Sequence, residues 1–196
     1  EDQESLLKKE EKKGLADYIQ NCILETKPRV IGNNKGASWN PMFPNTVSEM
    51  IFENSVTCSF IPMIYILQDL RKMNMSIYEV KQMLWKGYRE FWEKYPEKIK
   101  WILKEQGKKE LMNQLQNDLE IIIYSDSYYI TDLDWWVLAH SEKIPIILIS
   151  STSLKFLVNT VNWIRLGSNR SNDKYYFVRS PSKERVNLPS SYHVLT

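Results

Sequence analysis

The chain has 196 residues, 43% of them hydrophobic and 12% aromatic. A chain of this length buries roughly 70% of its unfolded surface, so one core can form without a disulfide or metal staple. Its 26 basic and 24 acidic residues are interspersed, leave a net charge of +2, and form no Lys/Arg stripe interleaved with aromatics, which argues against a nucleic-acid partner. No apolar run approaches the roughly 18 residues of a membrane-spanning helix.

The given sequence begins at Glu1, with neither an initiator Met nor a signal-like apolar stretch. We read this as a processed protein or a module excised from a longer polypeptide. Residues 1–14, with Lys8-Lys9-Glu10-Glu11-Lys12-Lys13, are predicted to be a solvated, charged lead-in. Leu15, Ala16, Tyr18, Ile19, Cys22 and Ile23 repeat at helical spacing and predict an amphipathic helix over 15–25. Cys22 falls on its apolar stripe, where a thiol packs as a small hydrophobe.

Residues 26–57 carry Lys27-Pro28, Gly32-Asn33-Asn34-Lys35-Gly36 and Trp39-Asn40-Pro41. They predict a long irregular segment, with a helix-like piece at Val47–Phe52. A broad apolar face over Cys58–Met73 predicts the next helix. Its cap is Thr57 or Ser59, and Pro62 favours Ser59, because a proline costs nothing in the first turn. Ser76 and Glu79 have capping-box spacing ahead of a stripe of Ile77, Val80, Leu84, Tyr88 and Phe91, a helix that ends at Tyr95-Pro96. Helices over 97–106 and 111–123 follow. Thr131 then caps Asp132–Glu142, whose first-turn acids suit the helix dipole.

Beyond Lys143 the period changes. Ile144–Ile149 reads as a buried strand, and Asn162–Leu166, Tyr175–Arg179 and Tyr192–Leu195 as further strands. Helices first and strands later predict an α+β fold, a helical N-terminal part packed on a small C-terminal sheet, in a single domain over 1–196. Asn169-Arg170-Ser171 is a glycosylation sequon, read as incidental.

Two widely separated cysteines read as free thiols in a reducing, cytoplasmic compartment. Cys58 admits two readings. It is a small buried hydrophobe, or it is a nucleophile whose thiol pKa is lowered by a helix N-terminus and whose proton passes to His193. His193 likewise reads as a base or as a strand histidine satisfied by backbone. His140 is a rival base, but its place four residues after Trp136 reads as a helix face. Two Cys and two His share no ligand-like spacing, so no metal and no cofactor is expected.

Ser55-Val56-Thr57-Cys58-Ser59-Phe60 resembles the Asp-Gly-(Asn/Asp)-Cys-Leu-Phe stretch of the ovarian-tumour (OTU) family of papain-like cysteine proteases. Asp134-Trp135-Trp136-Val137-Leu138-Ala139 followed by Ile144–Leu148 is similar to that family's acidic helix and strand. Tyr192-His193 resembles its His-Tyr strand with the two residues swapped. The likeness covers about residues 50–196 and extends to OTU-like modules inside large polypeptides of DNA viruses. It implies a papain-like OTU-type fold and a monomeric isopeptidase in host cytoplasm or virion. Cys58 would attack the C-terminal glycine carbonyl of ubiquitin or a ubiquitin-like modifier, and His193 would be the general base. Asn40, or second Asn54, would orient the imidazole. Trp39, Trp135 and Trp136 would wall the channel for the modifier's tail, with core or surface packing as the other reading of Trp135 and Trp136. The chain departs from the family in lacking Asp-Gly before Cys58 and in having Leu195 where many members orient the His. Those losses suit an alternative, a catalytically inactive interaction domain, and a structural virion module is a third reading.

Overall fold

The computed structural model describes residues 20–30, 46–97, 119–156, 159–167, 175–181, 189 and 191–196. Residues 20–22 are helical and lead directly into strand β1, Ile23–Val30. β2 is Thr46–Phe52. A short 3-10 turn, Cys58–Phe60, runs into helix α1, Ile61–Arg71. Then come α2, Ile77–Lys94, α3, Leu119–Tyr124, and α4, Asp132–Ser141. Strands β3, Ile146–Phe156, β4, Asn159–Leu166, β5, Tyr176–Arg179, and β6, His193–Leu195, complete the described residues.

The result is an α+β fold with a mixed six-stranded sheet in the order β1-β2-β6-β5-β3-β4. The β3–β5 pair is parallel and every other neighbouring pair antiparallel. The expected separation of an N-terminal helical part from a C-terminal sheet is corrected here, because β1 and β2 precede the helices and join the same sheet. The segment expected to be irregular is, in its described residues, an antiparallel pair, with Lys27 opposite Glu49 and Pro28 opposite Ser48. Val47–Phe52 is a strand and not a helix. In Ser48-Glu49-Met50-Ile51-Phe52 the two faces alternate, and a period of two places Met50 and Phe52 on the helical side. Pro28 is tolerated because β1 is an edge strand.

Residues opposed in a ladder share a face. Met50, Val194, Val178 and Leu148 are connected in that way across β2, β6, β5 and β3. This face joins the core with Ile61, Ile64 and Leu67 of α1, Val80, Leu84 and Tyr88 of α2, and Trp135 and Leu138 of α4. Glu49, Leu195, Phe177 and Ile147 are registered on the opposite face.

The helices start and stop for local reasons. Ser76 and Glu79 form the expected reciprocal capping box at α2, with bonds of 3.1 and 3.0 Å. α1 ends at Lys72, which takes a left-handed φ of 55°. At the head of α4, Asp134 accepts the Thr131 backbone N–H at 2.7 Å and its hydroxyl at 3.0 Å. The same buried carboxylate accepts the Tyr88 hydroxyl at 2.6 Å and that of Tyr128. α2 approaches α4 closely at Gly87, where a Cβ would lie 2.7 Å from Val137 Cγ1 and 2.9 Å from Ser141 Oγ. Among the described residues, no helix is long and apolar enough to cross a membrane.

Candidate functional site

The turn that carries Cys58 is held by serines. Ser55 Oγ accepts the Cys58 N–H at 3.0 Å, and Ser55 O accepts the Ser59 N–H at 3.0 Å. Ser59 Oγ donates to Val56 O at 2.6 Å and accepts the Ile130 N–H at 3.1 Å. Ser59 therefore ties the turn to the segment before α4 instead of capping α1. Pro62 does occupy the first turn of α1, where its missing N–H leaves no bond unmade.

Cys58 is joined to Cys22 by a disulfide, with a Cα–Cα separation of 5.6 Å. The two half-cystines are 2% and 1% exposed. The expectation of free thiols is corrected: neither of the chain's two cysteines is free. The backbone explains the pairing. Ile23 stands opposite Phe52, and Cys22 O accepts the Glu53 N–H at 2.8 Å. Cys22 is thereby fixed beside the end of β2, where the five-residue turn returns the chain to Cys58. A sulfur in a disulfide has no proton to lose, so a helix N-terminus has no thiolate to stabilise there.

His193 is paired through Nδ1 with a buried carboxylate. Its Nδ1 lies 2.8 Å from Glu49 Oε1, and Arg179 Nε approaches the same oxygen at 3.2 Å. Glu49 is fully buried, while the His193 side chain is 27% exposed. His193 opposes Arg179 in the ladder and alternates with Val194, so its imidazole leaves the sheet on the face away from the helices. Cys58 belongs to the cluster on the Val194 side. In the structure Cys58 Sγ is bonded to Cys22 and His193 Nδ1 faces Glu49.

Among the described C-terminal residues, Ser191 bonds the loop that leads to Cys58. Its N–H donates to Asn54 Oδ1 at 2.9 Å, and its hydroxyl donates to Glu53 O. Asn54, the second choice as orienting residue, spends its carbonyl there. Asn40, the first choice, and Trp39 lie outside the described residues, as does the 169–171 sequon.

The other candidates are packing residues. Trp135 is fully buried, with its ring 5.5 Å from Tyr192. Trp136 sits 4.7 Å from Phe91 and 4.9 Å from His140 between ring centroids. Burial against these aromatics lowers the His140 pKa below its usual value. The Tyr192 hydroxyl donates to Asp132 Oδ1 at 2.6 Å, and burial first, then that carboxylate, push its pKa well up. Ser180 Oγ joins the same oxygen at 3.0 Å.

Sequence reasoning missed Glu49. Its signal was an acid within an alternating apolar segment, a position that must be paired once the segment becomes an interior strand. Chemically, a buried carboxylate on Nδ1 fixes the imidazole's orientation and tautomer. Among the described residues no group of three or more His, Cys, Asp or Glu is placed to hold a metal ion. No family model matches the chain, and no curated protein or solved structure matches it.

Proposed function

We propose that this chain is a non-hydrolytic interaction domain on an OTU-like scaffold, with ubiquitin or a ubiquitin-like modifier as its partner. The observation that carries the reading is the Cys22–Cys58 disulfide, which leaves Cys58 without a thiol to act as nucleophile. The succession of α4 and β3 supports the scaffold, since the resemblance implies an acidic helix followed by a strand there. In the family the His precedes the Tyr. Here the residue before Tyr192 is Ser191, and it is Ser191 that bonds the loop leading to Cys58. A hydroxyl in that place cannot serve as a general base near neutral pH.

The test compares modifier binding with modifier chemistry. Ubiquitin and its relatives are titrated onto the native protein and onto the Cys22→Ser/Cys58→Ser variant, and a propargyl-tailed modifier probe is added with and without a dithiol. Expected are equal affinities for the two proteins and no adduct in either condition. Absence of binding to every modifier tried would overturn the proposal.

A second reading is a thiol isopeptidase that works only once the disulfide is reduced. It is favoured by the position of Cys58 at the head of a continuous helical run, the 3-10 turn leading into α1. A probe adduct that forms in dithiol and disappears in Cys58→Ser would establish it in place of the first.

A further inference from the structure

We propose that the Cys22–Cys58 disulfide is a redox latch that holds edge strand β1 onto the body of the domain. β1 is terminal in the sheet order and pairs with β2 alone among the described strands. Across residues 20–28 Cys22 is the one buried position. Ile23 is partly buried, and Leu24, Glu25, Thr26 and Pro28 are exposed. The ladder register is also irregular between Ile23 and Glu25, just beyond the half-cystine. Among the described side chains of residues 20–28, the start of β1 is therefore held to the helical layer by the covalent bond from Cys22 to the turn that starts α1 and by the partial burial of Ile23.

Opening the latch requires a dithiol reductant. One thiolate attacks a sulfur of the pair to give a mixed disulfide, and the reductant's second thiolate then resolves it. Two electrons and two protons pass to the protein, leaving two cysteine thiols and the oxidised reductant. Both sulfurs are almost wholly buried, so the attack waits on opening at the β1 end. Once reduced, β1 loses its covalent tie and keeps its ladder to β2 and the partial burial of Ile23. Its release would uncover the outer edge of β2, a row of backbone donors and acceptors competent to pair with another strand. This inference stands apart from the identity of the binding partner.

Hydrogen–deuterium exchange on the native, dithiol-reduced and Cys22→Ser/Cys58→Ser proteins tests it. In both disulfide-free states, the amides among residues 25–30 that bond to β2 (Pro28 has none) should exchange at least about tenfold faster, while α2, α4 and β5 keep their protection. Unchanged exchange in 25–30 would overturn the latch. A uniform acceleration through α2 and α4 would also overturn it, by making the bond a general staple of the fold.

Discussion

His193 directs Nδ1 at Glu49 Oε1 across 2.8 Å, joining a quarter-exposed imidazole to a carboxylate with no solvent exposure. Removing the Glu49 carboxylate leaves the partly exposed Arg179 and His193 without the anion they share, and losing a hydrogen bond to a charged group costs about 1.5–3 kcal/mol. Glu49→Ala is expected to lose that order of stability in urea denaturation, and Glu49→Gln less. A loss for Glu49→Ala below about 1 kcal/mol would be the behaviour of a solvent-screened pair and would contradict this burial.

Asp134 is the next site where a small change should be costly. It receives the hydroxyls of Tyr88 and Tyr128 as well as both groups of Thr131. A hydrogen bond to a charged group contributes about 1.5–3 kcal/mol, so Tyr88→Phe should destabilise by that amount. Asp134→Ala should exceed it, because two buried hydroxyls lose their acceptor. Urea midpoints for the two variants and their double mutant check the shared origin: the two effects should fall well short of adding.

The same tyrosines set an alkaline limit. Burial is the main cause that pushes Tyr88, Tyr128 and Tyr192 well above the usual phenol range, with Asp134 or Asp132 adding to it. A folded-state pKa above the unfolded value means that the native state keeps protons the unfolded chain has released. Their contribution is whole below about pH 10 and declines as pH rises above it, by about 1.4 kcal/mol per pH unit for each tyrosine. Thermal melts from pH 8 to 11 should show a steep fall that begins near pH 10. Tyr192→Phe should make that fall shallower, and an unchanged slope would contradict the assignment.

Gly87 carries a close approach between α2 and α4. Gly87→Ala forces a methyl to within 2.7 Å of Val137 Cγ1, a branched side chain with little freedom to move. Overpacking of this kind costs about 1–3 kcal/mol, more than alanine's helix propensity returns. Val137→Ala in the same chain removes the colliding methyl, so the double variant should be more stable than the sum of its single changes. Denaturation of all four proteins measures the coupling.

Helices α1, α2 and α4 were legible, whereas the helix expected over 15–25 gives way to β1 at Ile23, and the one expected over 97–106 lies, beyond Glu97, outside the described residues. Ser76 and Glu79 announce α2 three residues apart, and Pro62 correctly assigned itself to a first turn, since those rules act within a few residues. The strands β4 to β6 were legible by period and composition, within a few residues at their ends, while β3 runs on to Phe156, seven residues past the expected end at Ile149. β1 and β2 were not. Pro28 and the neighbouring glycines obscured an edge strand, and Val47–Phe52 was too short for its alternation to outweigh a helical reading. The disulfide was beyond local rules altogether, because its 36-residue separation closes only through the β1–β2 register. His193 was correctly placed on a strand, but the face it takes depends on Val194 packing inward, which a one-residue change of register would reverse.

β6 lies between β2 and β5, although in sequence it follows every other strand. Its contact with Glu49 spans 144 positions, so the β1–β2 pair and the β5-β3-β4 group can form locally but join only through a highly non-local closure. Proteins dominated by such contacts search longer before reaching the native state. Refolding of this domain should therefore be paced by the docking of three residues, His193 to Leu195, into a slot prepared by everything before them.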